Sequence, residues 1–256
     1  MGLQTLILTE FFDIIHSMKN KVILAVGAHP DDMELFGASG TLAKFAEEGS
    51  DVYLIICTDG SRGSDDPKMT HERLAAIRKE EQEEAARVLG IKKVFFLNHT
   101  DTQLVADLKL KEEIVKIIRT IRPETVISLD PTLYYSTDSF FGFNFVNHTD
   151  HRAAGLAAMD AVFPLCRDRL TFPEHEREGL TPHKVKELWL ISFNKIDHVI
   201  DISKTIDKKI KAFEMHKSQF KDFKQMEKWM RGMSSTIGEK KGYKYAENFI
   251  RLKLLP

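Results

Sequence analysis

The stretch VILAVGAHPDDMELFGASGTLAKF, Val22–Phe45, decides the fold. Its opening is a continuous apolar run, the mark of a strand buried on both faces. Its closing part has the apolar period of a helix that begins near Asp31 and ends at Gly49. Between them stand His29, Asp31 and Asp32, three ionisable groups where Ser, Asn or Gly would suffice for a turn. A strand, a short turn and a helix make the first half of a βαβ unit, and the unit recurs along the chain.

DVYLIICT (51–58) reads as the second strand and HERLAAIRKEEQEEAARVLG (71–90) as the next helix, with Leu74, Ile77, Ala85, Val88 and Leu89 on or near one face. KVFFL (93–97), residues 107–123 and TVISLD (125–130) repeat the alternation. The expected fold is a single-domain α/β, Rossmann-like protein over residues 1–256, with a mostly parallel sheet flanked by helices and a core over about residues 21–165. After Asp130 a long aromatic-rich loop with Tyr134, Tyr135, Phe140, Phe141 and Phe143 leads to a small-residue helix over 152–165. Residues 186–192 and 198–202 read as late strands forming a C-terminal β-hairpin, followed by a helical extension. Its Phe213, Phe220, Phe223 and Trp229 form a stripe of the kind that packs in a core or between subunits.

With 43% hydrophobic residues, the chain can bury a large core. Its 37 basic and 38 acidic residues nearly cancel, so charge balance provides no pull toward nucleic acid or an anionic membrane. No apolar run approaches the roughly 18 residues of a membrane span. The first twenty residues, interrupted by Glu10 and Asp13, read as a surface helix rather than a signal. Cys57 and Cys166 read as buried small side chains in a reducing cytoplasm.

Ligands of open parallel sheets bind beyond the carboxyl ends of the strands. His29, Asp31 and Asp32 follow strand one, while His148, Asp150 and His151 follow strand four through the long loop. Each group alone has an ordinary reading, since carboxylates favour the first turn of any helix and a Thr or Asp caps one. Both groups on one sheet edge make a metal centre the stronger reading, because so many ionisable groups are costly to bury without a cation. His29, Asp32 and His151 supply the imidazole and carboxylate set that a catalytic divalent ion such as zinc uses while leaving a position for water. Asp31, next to a ligand, is the candidate general base. His148 is the candidate stabiliser of a developing oxyanion as imidazolium, and Asp150 the carboxylate that holds a histidine through its second nitrogen. The inferred chemistry is metal-assisted hydrolysis of an amide or ester. His99, at the end of strand three, is expected near the crevice. The remaining histidines, His16, His71, His175, His183, His198 and His216, are expected at the surface or an interface.

AHPDDMELFGASG, TDGSRG (58–63), RKEEQEEAARVLG (78–90) and NHTDH (147–151) together resemble the PIG-L/LmbE-like zinc-dependent N-deacetylases, which act on N-acetylglucosamine-containing molecules. The tail YKYAENFIRL is similar to that family's terminal segment. The resemblance implies zinc on His29, Asp32 and His151, Asp31 as base and His148 on the oxyanion side. It also implies substrate contacts from Arg62 and Asp101, where a solvated loop arginine and a helix cap are the plainer readings. Within the family the run of the chain and its aromatic loop look most like the archaeal diacetylchitobiose deacetylases, which act on the chitin disaccharide and form homohexamers. That likeness implies an amino-sugar substrate and a homo-oligomer, and extends to chitin degradation.

Rival readings remain open at this level. A nucleotide-binding protein is disfavoured because GAHPDD stands where a dinucleotide fold has G-x-G-x-x-G, and carboxylates at that helix start repel a pyrophosphate. Two histidines and a carboxylate also suit a non-haem iron oxygenase. A deacetylase or amidase of a lipid- or thiol-linked glucosaminide, or a non-catalytic sugar-binding module, shares the same residues.

Overall fold

The computed structural model describes residues 21–137, 144–192 and 197–255. The expected N-terminal helix, His16, Phe140, Phe141 and Phe143 lie outside the described residues. The apolar runs form β1 (Val22–Gly27), β2 (Asp51–Thr58), β3 (Lys93–His99) and β4 (Thr125–Leu129). Between them lie α1 (Asp32–Phe36), α2 (Ser39–Glu47), α3 (His71–Leu89) and α4 (Leu108–Ile121). The helix expected from Asp31 to Gly49 is broken at Gly37, whose φ of 106° ends the first turn and lets the chain restart at Ser39. Helix α3 runs as expected from a Thr70 cap to Gly90.

The long loop closes on itself through a two-stranded antiparallel ribbon, β5 (Tyr135–Ser136) with β6 (Phe145–Val146). Helix α5 (Thr149–Asp160) starts three residues earlier than the periodicity suggested, because His148 acts as its N-cap by accepting from the Asp150 N–H. Glu174–Arg177 forms the short α6, and β7 (Glu187–Ile191) and β8 (His198–Asp201) follow. The last elements are α7 (Ile206–Phe213), α8 (Phe223–Glu239) and β9 (Ala246–Lys253).

The main sheet has the order β3-β2-β1-β4-β7-β9-β8, with its first five strands parallel. The expected hairpin of β7 and β8 is not formed. Strand β9, contributed by the sequence AENFIRLK, inserts between them and runs antiparallel to both. A pattern confined to neighbouring residues cannot reveal that the partner of both strands is the end of the chain. The Phe213 ring lies 4.3 Å from Phe220 and 6.2 Å from Phe223, within a second apolar cluster, so the aromatic stripe is core.

Strand order reverses between β1 and β4, whose lateral neighbours lie in opposite directions. Right-handed crossovers then place helices on opposite faces and open a crevice at the carboxyl ends of these two strands. Helices α1, α2, α3 and α7 pack together, and α4 and α5 form a second group. Gly155 allows α5 to approach the sheet: a Cβ there would sit 2.3 Å from the Leu129 carbonyl oxygen. One helical turn earlier on that close-packed face, His151 reaches the end of β1.

Candidate active site

The turn after β1 and the start of α5 meet at this crevice. His29, Asp32 and His151 each offer a ligand atom, and these atoms lie within 4.8 Å of one another. Hydrogen bonds decide which atoms face inward. Asp32 Oδ2 accepts the backbone N–H groups of Ala28 (2.7 Å) and His29 (2.8 Å). Its Oδ1 is turned toward His151 Nε2 at 3.0 Å and His29 Nδ1 at 3.7 Å. The other nitrogen of His151, Nδ1, donates to Asn147 Oδ1 at 3.0 Å, and Asn147 is oriented by donating Nδ2–H to the Leu133 carbonyl at 2.8 Å. His29 Nε2 meets Asp101 Oδ1 and Asp150 Oδ2, both at 3.2 Å. Three buried donor atoms are therefore turned to one point while their opposite ends are held by the protein, the arrangement a structural shell gives metal ligands.

His29, Asp101, His148 and Asp150 form a second group with metal-ligand spacing. Its donors are already engaged: His148 Nδ1 accepts the Asp150 N–H, Asp150 accepts the Thr102 and Leu104 N–H groups, and Asp101 accepts the Arg62 N–H. The first group is thus the better cation site. A third, Glu112 with Glu174 and His175, lies against the Arg119 guanidinium, which donates to His175 Nδ1 at 3.4 Å and opposes a second cation.

Charge follows the same geometry. Burial works against ionisation of Asp32, yet His151 and His29 hold its carboxyl well below the ordinary range. Burial lowers the His29 pKa, but Asp101, Asp150 and Asp32 override it and hold the ring well above its usual value. Burial likewise opposes the Asp101 charge, but His29 and the Arg62 N–H bring its pKa down to about 2. Asp31 shifts upward because burial outweighs the nearby Arg78 guanidinium.

Asp31 lines the cavity of about 230 Å³ with His29, Asp32, Arg78, His148 and His151. Its backbone is left-handed, φ 97°, and its carboxylate meets Arg78 while that of its neighbour Asp32 faces His151. His148 is half-buried and edge-on to His29, with ring centroids 4.6 Å apart. Because its Nδ1 accepts a backbone N–H, the ring presents Nε2–H as a neutral donor rather than as the expected imidazolium. Burial, then His29 and His151, lower its pKa and favour the same state. The histidine that Asp150 meets is His29, whose Nε2 lies 3.2 Å from its Oδ2.

Arg62 is exposed at the cavity rim, and Asp101 is buried there; Asp101 is not a helix cap, since Asp107 caps α4. The aromatic-loop residues Tyr134 and Tyr135 are largely exposed, with the Arg152 guanidinium 5.0 Å from the Tyr134 ring centroid. His99 does not line the cavity; it pairs with Glu113 at 2.6 Å. His175 and His216, expected at the surface or an interface, are 1% exposed within this chain's own fold. The sequence reading missed Arg78, Gln82, Glu34 and Asn147. Arg78 and Gln82 had a signal: extending the period from Leu74 places both on the buried stripe of α3 that ends at Ala85, Ala86 and Leu89. Arg78 meets the Asp31 carboxylate at 3.1 Å and the Gly60 carbonyl at 3.0 Å.

The family model "PIG-L: GlcNAc-PI de-N-acetylase" matches residues 24–162. A diacetylchitobiose deacetylase of Thermococcus kodakarensis is 33% identical over 89% of this chain and 81% of its own length. A mycothiol S-conjugate amidase of Streptomyces coelicolor is 31% identical over 68% of this chain and 61% of its own. The structure of N,N'-diacetylchitobiose deacetylase from Pyrococcus horikoshii, complexed with the inhibitor MPG, superposes with a TM-score of 0.82 at 32% identity, covering 91% of this chain and 84% of that one. Among the described residues, no helix is long and apolar enough to cross a membrane.

Proposed function

The chain belongs to the PIG-L family of GlcNAc-PI de-N-acetylases, and from that premise we propose a zinc-dependent hydrolase that removes the N-acetyl group of N-acetylglucosamine-containing substrates, diacetylchitobiose and N-acetylglucosamine first. The relatives named above are deacetylases and an amidase, that is, amide hydrolases. The observation that carries the reading is the convergence of His29, Asp32 and His151 beside an independent carboxylate, Asp31.

His29 Nδ1, Asp32 Oδ1 and His151 Nε2 would hold the ion. Bound there, zinc supplies Lewis acidity toward the acetyl carbonyl and acidifies a water. Asp31 takes one proton of the attacking water and delivers it to the departing nitrogen as the C–N bond breaks; the water's second proton leaves the nascent acetic acid for the amine, so that acetate and a protonated amino sugar are released. His148 donates Nε2–H to the carbonyl oxygen as its charge grows. Arg62 and Asp101 at the cavity wall contact sugar hydroxyls, and exposed Tyr134 and Tyr135 offer a stacking face. Both cysteines are free and buried, which fits a reducing cytoplasm.

Zinc analysis of the purified protein, with acetate release measured on N-acetylglucosamine, diacetylchitobiose and a thiol-linked glucosaminide, tests the proposal. Turnover of only the conjugate favours the second reading, an amidase of the kind named by the Streptomyces relative. Oxygen-dependent oxidation by the iron-loaded protein would instead favour an oxygenase. The same reading makes the chain a homo-oligomer, a hexamer in the group it resembles; a monomer by light scattering rejects that part.

A further inference from the structure

Asp31 has a Cβ, yet its backbone sits at φ 97°, a conformation that L-residues hold only when the surroundings fix it. Two side chains one turn apart on α3 do the fixing. Arg78 engages the carboxylate and the Pro30 carbonyl, while Gln82 Oε1 accepts the Asp31 backbone N–H at 3.0 Å. Gln82 itself is oriented by donating Nε2–H to Glu34 Oε1 at 3.2 Å. The other Glu34 oxygen, Oε2, faces His216 Nε2 at 3.7 Å, and His216 comes from the turn after α7, in the C-terminal part of the chain. Glu34 and Gln82 are 0% exposed and His216 1%, so no solvent competes for these contacts. A surface-facing role is excluded for all three.

We propose that Gln82, held by Glu34 and backed by His216, is a positioning residue that keeps Asp31 left-handed and so aims its carboxylate into the cavity apart from Asp32. The mechanistic consequence rests on Asp31 being the base. Without the Gln82 acceptor, the buried Asp31 N–H loses its partner and nothing on the amide side opposes relaxation to negative φ. The carboxylate then moves away from the attacking water while the three ligand atoms, tied to Ala28, His29, Asn147, Asp101 and Asp150, stay in place.

The test uses Gln82→Met, of similar volume but without the acceptor, together with Q82E and the pair E34Q/Q82E. The pair exchanges amide and carboxylate across the Glu34–Gln82 contact and keeps an acceptor on the Asp31 N–H. Expected for Gln82→Met is a fall in kcat on the order of 10- to 100-fold. KM and zinc affinity should stay within about threefold of the parent, the pattern of a lost transition-state contact. Q82E places two carboxylates face to face and should lose kcat, and E34Q/Q82E should regain most of it. A crystal structure of Gln82→Met should show residue 31 at negative φ. Residue 31 still left-handed there, a kcat within about twofold of the parent, or a double variant no better than Q82E overturns the assignment. A folded, zinc-loaded parent that releases no acetate from any acetylated amino sugar rejects the functional reading instead, and the crystal structure still decides the role of Gln82.

Discussion

Replacing Asn147 by alanine removes the acceptor that fixes the His151 ring without touching any proposed ligand. In the structure Asn147 Oδ1 lies 3.0 Å from His151 Nδ1, while its own amide is locked by the Leu133 carbonyl at 2.8 Å. This keeps the proton on Nδ1 and leaves the Nε2 lone pair for a cation. A neutral hydrogen bond of this kind contributes about 0.5–1.5 kcal/mol net, and its loss also lets the ring rotate and exchange tautomers. Partners of this class are worth about 10- to 100-fold in metal affinity, or roughly 1.4–2.8 kcal/mol. The assay is competition for zinc between the protein and a chromophoric chelator, with Asn147→Ala compared with the parent at one pH. Circular dichroism should show the fold retained, since Asn147 is only partly buried. An affinity within about twofold of the parent, below the range of such partners, would refute the reasoning, because His151 would then need no external orientation to serve.

Asp31→Asn keeps the shape but not the basicity, so acetate release should fall by about 10²–10⁴-fold while zinc binding and binding of the amino-sugar product persist; equal loss of binding contradicts a base. Lys209 and Glu247 form an ion pair at 2.7 Å with 0% and 1% side-chain exposure, and Glu247 also accepts the Gly40 and Thr41 N–H groups at the start of α2. Lys209→Met strands that carboxylate and should destabilise by about 3–5 kcal/mol in urea denaturation, with partial recovery on adding Glu247→Gln. Burial pushes the Cys166 thiol up to about 11 and Cys57 higher still, so both are protonated at pH 8. A thiol-reactive chromophore should label neither in the native protein and both in guanidinium; prompt native labelling contradicts the buried placement.

Much of this protein was legible in local pattern. Apolar runs of four to eight residues set between helical periods foretold β1 to β4; the inner strands β1, β2 and β4, buried on both faces, need no alternation, while β3, at the sheet edge, is only partly buried. His29, Asp31 and Asp32 could be placed at a strand's carboxyl end from the sequence, and NHTDH at the next helix start, since both depend on neighbours within a few residues. Their meeting was inferred from the common sheet edge, but the choice of Asp32 Oδ1, His29 Nδ1 and His151 Nε2 was decided by contacts with Ala28, Asp101, Asp150 and Asn147.

Tertiary structure alone decided the rest. β9 separates β7 from β8 because sheet pairing joins segments tens of residues apart, which no local period encodes. His175 and His216 look like surface residues among charged neighbours in sequence, yet burial is set by what packs over a side chain from elsewhere. Gly155 could not be read as a spacer until the Leu129 carbonyl stood opposite it. The sequence by itself determined which chemical groups this protein owns and which strand ends carry them; the fold determined which lone pair of each group faces the cavity, because that depends on hydrogen-bond partners brought from distant parts of the chain.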